Sequence, residues 1–362
     1  MTNPLIVADA ATIDAEWMTM ALRHAGVLGS GSVAGLTRKA VGNGLVADSY
    51  RFEMTYAGDA GSAPCSVVGK FPATDPVSRK AGSEHVLYLR EVSFYRELAG
   101  MLEIHTPHAY VAEVDPETDD FTLLLADLAP ARQGDQLAGC SVADARVALR
   151  EAAMLHAPRW GDASIETIDW LVNRPARLQP VIEAALPAIA DLFQERYDGV
   201  LEPEYIDLVN RLPAALASSR EDRSAPRTIM HGDFRLDNIL FDVYGGARPM
   251  ATLDWQTITV GPALTDVAYF LSAGLDPDVR RAHEIELVRG YHAELLARGI
   301  TGYGWDDCWR DYRRYTLHGI MMGVFSALSV ERTERGDMLF LKMTRGACAQ
   351  AADHDSFAFW EG

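Results

Sequence analysis

The hydrophobic pattern of the chain changes near residue 127, and this change limits the possible fold more than any other feature. Before it, the pattern predicts a leading helix over about 12–25, with Gly26 as its C-terminal cap, and then several short strands. The predicted strands cover residues 33–41, 49–56, 65–71, 110–114 and 121–125. After it, apolar residues recur at helical spacing, for example over 142–156, 180–193 and 204–216.

Strands followed by helices predict an α+β protein of two lobes. We predict a small antiparallel-sheet N-terminal lobe, residues 1–126, which contains one key helix, and a larger, mainly helical C-terminal lobe, residues 127–362. A chain of 362 residues with 48% apolar content can bury a core in each lobe. The longest uncharged apolar stretch, 319–330, is shorter than the ~20 residues of a membrane span and predicts a buried helix.

Cysteine usage and the N-terminal residues indicate a cytoplasmic protein. Cys65, Cys140, Cys308 and Cys348 form no C-x-x-C pair, which disfavours a zinc site and a disulfide framework. Asp9 follows a start without Lys or Arg, whereas a secretory signal begins with basic residues. We therefore expect reduced thiols, no secretory signal and no membrane span.

The charge balance is strongly acidic, with 33 basic and 51 acidic residues and a net charge of −18. Such a surface repels nucleic-acid phosphates and anionic membranes, so we expect neither as a partner. It would favour a cationic ligand, although solubility alone would also explain it. The sequence leads to no expectation about oligomeric state.

Two charged residues occur where apolar ones are expected. Glu91 lies on the apolar stripe of a helix predicted over about 84–98, and Lys70 lies in the apolar strand "CSVVGKFPA". A buried charge is costly unless it is paired, so we expect Lys70 and Glu91 to form an ion pair. The alternative is that both side chains reach water from the edges of the lobe.

The order of elements resembles the nucleotide-binding half of a protein-kinase-like fold. A strand, the turn Gly42-Asn43-Gly44, two strands and a helix follow in that order, with Lys70 on the third strand and Glu91 on the helix. In that fold the backbone of the turn at Gly42 and Gly44 approaches the phosphates. Ala47 occupies the place of the third glycine of G-x-G-x-x-G, so the signal from this turn is weak.

The segment "MHGDFRLDNILFD" holds the strongest signal. Asp233 and Asn238 are five residues apart, as in the H-x-D-x-x-x-x-N catalytic loop of kinases, and His231 precedes them. Two short strands joined by "YGG" follow and lead to Asp254. Because the ends of an antiparallel hairpin meet, we expect Asn238 and Asp254 to be neighbours. An amide oxygen and a carboxylate are ligands that suit Mg²⁺.

Together with "TLDWQ", "GPALTDVAYFL", "VGKFP" and "REVSFYREL", this segment resembles the aminoglycoside phosphotransferase and choline kinase-like superfamily, especially its ecdysteroid-kinase-like branch. The resemblance implies a set of roles. It makes Asp233 the catalytic base, Asn238 and Asp254 the metal ligands, Lys70 the ligand of the ATP phosphates with Glu91 as its partner, Ala126 and Leu128 the backbone contacts of adenine, and Asp266 a brace for the catalytic loop.

The implied reaction is an ATP- and Mg²⁺-dependent transfer of the γ-phosphate to a hydroxyl of a small molecule. Asp254 and Asp266 are only 12 positions apart, with no A-P-E tripeptide, so we expect no peptide substrate. The sequence identifies neither the acceptor nor a preference for ATP over GTP, and we expect no preference for aminoglycosides. Acidic pocket walls would favour amines, and apolar aromatic walls would favour a lipophilic alcohol.

Other functions agree less well with the sequence. A metal-dependent hydrolase needs histidines at ligand spacing, and the sequence shows no such spacing. A P-loop needs Gly at the position of Pro64 and Ser or Thr at the position of Phe71. The main alternative is an inactive kinase-like protein that binds a nucleotide or a metabolite. Such proteins usually lack the lysine, the base or a metal ligand, and this chain retains all of them.

Overall fold

The computed structural model describes residues 3–42, 46–173, 176–219, 222–329 and 332–361. It contains two compact units, each made of three chain segments. The first unit comprises Met1–Met101, Thr106–Pro130 and Leu253–Thr257. The second comprises Leu102–His105, Ala131–Thr252 and Ile258–Gly362. The two lobes predicted from the sequence are continuous segments, residues 1–126 and 127–362. Each unit of the structure instead combines segments that are distant in the chain.

The first unit contains one five-stranded antiparallel sheet with the strand order β1-β2-β3-β5-β4. Its strands are β1 (Ser32–Ala40), β2 (Ala47–Ala57), β3 (Ser66–Pro72), β4 (Ala109–Val114) and β5 (Phe121–Ala126). All five predicted strands are therefore confirmed, with each bound within two residues of the prediction. Helix α1 (Ala15–His24) is capped by the side chain of Asp14, and it contributes Leu22 to the same apolar core as Phe52 and Leu124.

The key helix of this unit begins later than predicted. The structure has two helices, α2 (Pro76–Glu84) and α3 (Leu87–Ser93), where the sequence predicted one helix over about 84–98. Val86 separates them with a φ of 60°, a left-handed conformation that a β-branched residue rarely adopts. After α3 the chain continues as a wider π-helical turn, Phe94–Leu98. Pattern alone missed α2 because its residues are mostly polar; its start depends on the Asp75 cap and on the proline at its first position.

The second unit is mainly helical. Its helices are α4 (Val142–His156), α5 (Gln179–Arg196), α6 (Pro203–Ser219), α7 (Leu264–Gly274), α8 (Pro277–Ala297), α9 (Trp305–Arg314), α10 (Leu317–Ser329) and α11 (Glu334–Asp353). Its two small antiparallel sheets are formed by β7 (Arg227–Met230) with β10 (Thr259–Pro262), and by β6 (Arg132–Gln133), β8 (Ile239–Asp242) and β9 (Arg248–Thr252). The helices predicted over 142–156, 180–193 and 204–216 are confirmed as α4, α5 and α6.

The apolar stretch 319–330 forms most of α10, a helix whose core-facing residues include Ile320, Val324 and Ala327. The prediction of a buried helix is therefore confirmed, although Val330 lies outside the described residues. Across the described part of the chain, no helix combines the length and apolar character needed to cross a membrane. All four cysteines are free thiols, as expected.

The fold class predicted from the sequence is confirmed: the protein is α+β, with an antiparallel sheet and a helical unit of the protein-kinase-like kind. Helix α7 is the central element of the second unit, because all eleven of its residues are buried. A helix that is apolar nearly all round must be surrounded by other elements. Its one acidic residue, Asp266, is consequently buried as well.

Candidate active site

The first unit contains a cluster of one cation and two carboxylates. Lys70 Nζ lies 2.6 Å from Oε2 of Glu91 and 3.0 Å from Oδ1 of Asp254. Glu91 is only 1% exposed, so its charge depends on this partner. The predicted Lys70–Glu91 ion pair is confirmed, and Asp254 is a second partner of the ammonium.

Neighbouring elements hold each member of this cluster. Lys70 lies on β3, whose two neighbours in the sheet are β2 and β5. Glu91 lies on α3, and Asp254 precedes Trp255, whose ring stacks on Phe94 with 3.8 Å between the centroids. Burial works against the charged ammonium, but the carboxylates of Asp254 and Glu91 outweigh it and raise the pKa of Lys70 above its usual value. Lys70 is therefore a permanent cation at neutral pH.

The second unit presents the segment from His231 to Asn238 between β7 and β8. The Asp233 carboxylate accepts hydrogen bonds from Tyr269 Oη at 2.9 Å, from Arg235 Nε at 3.0 Å and from Asn238 Nδ2 at 2.9 Å. Burial by itself would raise the pKa of Asp233, but Arg235, His231 and the hydrogen bond from Tyr269 hold it below its usual value. Asp233 is thus an ionised, oriented carboxylate.

Asp266 of α7 holds the first residues of this segment. Its carboxylate accepts the backbone N–H of His231 at 2.7 Å and that of Gly232 at 3.0 Å. It also lies 3.3 Å from His156 Nε2, and the other ring nitrogen of His156 lies 2.8 Å from Tyr291 Oη. The bracing role predicted for Asp266 is confirmed by these hydrogen bonds, and His156 is a buried histidine whose two ring nitrogens both have partners.

A left-handed backbone makes this arrangement possible. Gly232 has a φ of 80°, a conformation that glycine adopts without a steric penalty. The turn brings two consecutive N–H groups to one carboxylate and leaves Asp233 directly after them. The left-handed backbone of this turn therefore explains why glycine occupies the middle position of the H-G-D sequence.

Sequence reasoning did not assign the residues that surround Asp233. Arg235 bridges Asp233 and Asp237, with 3.0 Å from Nε to the first carboxylate and 2.6 Å from Nη1 to the second. Tyr269 was missed, although it follows Asp266 by three residues on one helix, and side chains at this spacing share a face. His318 lies much further along the chain, and no local pattern links it to Gly232 O, which lies 2.7 Å from its Nε2.

The other predicted nucleotide contacts belong to the first unit. Gly42 is exposed with a φ of 77°, and a Cβ there would meet no described atom within 4 Å. Gly44 lies outside the described residues. Ala126 donates its N–H to His108 O at 2.8 Å, whereas the N–H of Leu128 donates to no described group. Of the two backbone N–H groups predicted to contact adenine, that of Ala126 is already used, and that of Leu128 remains for a ligand.

The hairpin that was expected to bring the metal ligands together is present. Ile239 pairs with Thr252, so Asn238 directly precedes one strand and Asp254 follows the other by two residues. The connecting turn contains left-handed residues at Asp242 and Tyr244 as well as at two glycines. Asn238 belongs to the second unit and Asp254 to the first, so their proximity stays a prediction.

Both side chains are suited to a hard cation such as Mg²⁺. Within the described residues, Oδ1 of Asn238 and Oδ2 of Asp254 accept no hydrogen bond, and the Asp254 side chain is 40% exposed. Amide and carboxylate oxygens are preferred ligands of Mg²⁺, which also keeps water or phosphate in its shell. No group of three or more His, Cys, Asp or Glu side chains in the described part of the chain could hold a metal by itself.

Solved structures share this fold at low sequence identity. The GDP complex of aminoglycoside 2'-phosphotransferase-IIIa is 14% identical, with a TM-score of 0.51 over 87% of this chain and 94% of that one. A microcompartment-associated aminopropanol kinase is 13% identical, with a TM-score of 0.52 over 94% and 98%. The ethanolamine kinase of Plasmodium vivax is 10% identical, with a TM-score of 0.51 over 87% and 82%.

Curated relatives match in one short region each. Acyl-CoA dehydrogenase family member 11 of Gallus gallus is 36% identical over 77 residues, which is 21% of this chain and 10% of that protein. Family member 10 of Mus musculus is 44% identical over 111 residues, 31% of this chain and 9% of that protein. The matches thus span about a tenth of the length of these relatives.

The family comparison covers far more of the chain. The model of the ecdysteroid kinase-like family matches residues 42–299, a range that includes the Lys70–Glu91 pair, the Asp233 loop, Asp254 and Asp266. The superfamily resemblance of these motifs is thereby confirmed. With its motifs, its fold and most of its length in agreement, the chain belongs to the ecdysteroid kinase-like family.

Proposed function

We propose that the protein is a kinase that uses ATP and Mg²⁺ to phosphorylate a hydroxyl group of a small molecule, with Asp233 as the base. The observation that carries the proposal is the environment of Asp233, an ionised carboxylate oriented by Tyr269, Arg235 and Asn238. Membership of a family of kinase-like phosphotransferases supports the reaction class.

The reaction can be written with the residues of this chain. The acceptor hydroxyl oxygen attacks the γ-phosphorus of ATP, the bond from that phosphorus to the bridging oxygen breaks, and Asp233 takes the hydroxyl proton. ADP is the leaving group. Lys70 offsets negative charge on the phosphates, and Glu91 holds its ammonium in place. Because positioning and charge stabilisation supply most of the acceleration in phosphoryl transfer, the ordered donors around Asp233 serve this chemistry.

The metal would be held by Asn238 and Asp254, whose remaining oxygens suit it. Bound Mg²⁺ supplies charge neutralisation at the phosphate oxygens. Asp254 also pairs with Lys70, so the first unit alone arranges a carboxylate and an ammonium side by side. The Leu128 N–H is the group we propose for adenine.

The alternative is an inactive kinase-like protein that binds a nucleotide or a metabolite without transfer. All the residues that such proteins usually lose are present in this chain, which supports the active form. The two functions differ in one measurable respect: the inactive form binds a nucleotide but produces no acceptor-dependent ADP.

The test is the rate of ADP formation with a panel of amino alcohols, hydroxy acids, sterols and sugars. Asp233→Asn, which keeps the shape and removes the base, should lower the rate with an accepted substrate by about 10²–10⁴-fold. Asp242→Asn is the matched control, because Asp242 ends β8, the strand that follows the Asp233 loop, and its side chain is 60% exposed. Nucleotide binding without ADP above the Asp233→Asn background, for every acceptor, would favour the inactive form.

A further inference from the structure

A cavity of about 180 Å³ lies within the second unit, close to the loop that carries Asp233. One of its lining residues is His318, whose Nε2 donates to Gly232 O at 2.7 Å. The His318 ring also contacts the ring of Tyr269 edge to face at 5.4 Å, and Tyr269 in turn donates to Asp233. His318, in the cavity wall, therefore contacts two residues that adjoin Asp233. Gly232 directly precedes Asp233 in the chain, and Tyr269 donates a hydrogen bond to it.

Among the charged residues that line the cavity, arginines outnumber carboxylates, although the protein as a whole is acidic. Arg223, Arg227 and Arg314 line it together with one acidic residue, Asp222. Asp222 is already engaged, because Arg314 Nη2 lies 3.0 Å from one of its carboxylate oxygens and Tyr315 Oη donates to the other at 2.6 Å. In a chain with a net charge of −18, three guanidinium groups around one opening concentrate positive charge locally.

Two of these arginines, Arg227 and Arg314, are held in place by other contacts. Arg227 pairs with Glu166 at 2.8 Å and donates to Val260 O at 2.9 Å. The guanidinium of Arg314 lies 4.4 Å from the centre of the Trp360 ring, and it pairs with Asp222 as described. Preordered guanidinium groups lose little freedom when they bind a carboxylate or a phosphate, and their planar geometry matches both anions.

The remaining lining is mixed. Leu216, Pro262, Leu317 and Trp360 contribute its apolar part, and Ser219, Thr265 and Tyr315 contribute hydroxyl groups. The volume is below the roughly 300–1,000 Å³ of sites for drug-sized ligands, so it suits a small molecule or one end of a larger one. A larger surface depression of about 430 Å³ is lined by Asp191, Gln194, Glu195 and Asp198, which are polar residues in and just after α5.

We propose that this cavity receives the acceptor, and that the acceptor is an alcohol bearing an anionic group, a carboxylate or a phosphate ester, on an apolar carbon skeleton. The inference rests on the proposed function and specifies its substrate class. It runs against the expectation from net charge, which favoured a cationic ligand. The arginines bind the anionic end, the apolar walls contact the carbon skeleton, and the hydroxyl is directed to the side on which His318 and Tyr269 lie.

The experiment compares acceptors that differ only in charge. The wild-type protein is assayed for ADP formation with 3-hydroxyhexanoate and its amide, with glycerol 3-phosphate and glycerol, and with choline. We expect the anionic member of at least one pair to be used about tenfold or more better in kcat/KM than its neutral partner, and choline to be poor. The two pairs distinguish a carboxylate ligand from a phosphate ligand.

Arg223→Glu tests the cavity itself. Arg223 is exposed, so its replacement leaves the core intact. The variant should lower kcat/KM for the anionic acceptor by about tenfold, mainly through KM, and leave the neutral analogue within about twofold. Arg335→Glu is the matched control, since it makes the same charge change at a 57% exposed residue outside the cavity lining.

A binding measurement separates this inference from the proposed function. Ligand-observed NMR with the same acceptor pairs reports binding to the wild type and to both variants without any turnover. Charge-selective binding that Arg223→Glu removes, in the absence of ADP formation, would support the anion site and contradict the kinase activity. Preferred binding of choline or of the neutral analogues, equal losses in the two variants, or no binding by any anionic compound would overturn the proposal.

Discussion

At the scale of single residues, the described site depends on carboxylates that are kept ionised by neighbouring donors. Asp266 is buried and Asp233 is half-buried, and in both cases hydrogen bonds and nearby cationic groups overcome desolvation and lower the pKa. Burial has the opposite result at Tyr269: it raises the pKa of the phenol well above its usual value, so Tyr269 remains a donor to Asp233. Proton positions around the base are thus determined by its neighbours.

Asp266 allows a prediction about stability and pH. Asp266→Ala removes the acceptor of two buried N–H groups, so we expect the free energy of unfolding to fall by about 3 kcal/mol at pH 7. The pKa of Asp266 is lower in the folded state than in the unfolded chain, where it is about 3.9. The stabilisation is therefore complete above that value and is lost as the pH falls through the lower, folded-state pKa.

Urea unfolding at pH 7, 5 and 3 measures this effect. The difference between wild type and Asp266→Ala should be the same at pH 7 and 5 and smaller at pH 3. Asp242→Ala removes an aspartate whose side chain is 60% exposed and should change the unfolding free energy by less than about 1 kcal/mol. A difference between wild type and Asp266→Ala that is as large at pH 3 as at pH 7 would contradict the assignment.

At the scale of elements, helix contacts in the second unit depend on small residues. Helix α11 packs against α7, and a Cβ on Gly346 would collide with the backbone carbonyl oxygen of Ser272. Backbone cannot move aside as a flexible side chain can, so this close approach requires glycine. Gly290 in the middle of α8 is different, because a Cβ there would have no described neighbour within 4 Å.

Alanine substitutions at these two glycines should have opposite effects. Gly346→Ala should destabilise the protein by about 1–3 kcal/mol through overpacking. Gly290→Ala should stabilise it by about 0.5–1 kcal/mol, since alanine favours a helix over glycine. Thermal unfolding of both variants beside the wild type measures the pair. Equal changes in stability at the two positions would show that helix propensity alone determines both effects. The close approach of Gly346 to Ser272 O would then be absent.

At the scale of the whole molecule, nucleotide and metal should stabilise the fold by mass action. Any ligand that binds only the folded protein adds about 2.7 kcal/mol at 100 times its dissociation constant. We expect ADP with Mg²⁺ to raise the unfolding midpoint by about 5 °C, and EDTA to reverse most of that rise. Differential scanning fluorimetry measures the shift.

The variants for this measurement are Asp254→Asn and, as its control, Asp242→Asn. Asp254→Asn should reduce the metal-dependent part of the rise, since an amide is a weaker ligand of Mg²⁺ than a carboxylate. Asp242→Asn should retain the full rise. If EDTA leaves the shift in wild type unchanged, the metal role proposed for Asn238 and Asp254 is wrong.

Local regularities explain what could be predicted from the sequence. Alternating apolar residues located all five strands of the sheet, and helical spacing located α4, α5 and α6. The pairing of Lys70 with Glu91 followed from the high cost of an unpaired buried charge. Helix α2 was missed because its formation depends on one capping residue and a proline, and an apolar pattern does not show these.

The sequence by itself determined the class of fold, the family and the spacing of Asp233 and Asn238, because each of these depends on residues that are close in the chain. Only the tertiary structure decided which groups surround Asp233 and what charge the neighbouring cavity carries. Arg223 and Arg227 are close in the chain, but Arg314 comes from a distant segment, and the three side chains come together only when the chain folds. Net charge is a property of composition, whereas the field at a site depends on the distances between charges, so an acidic chain can still line one cavity with three arginines and a single carboxylate.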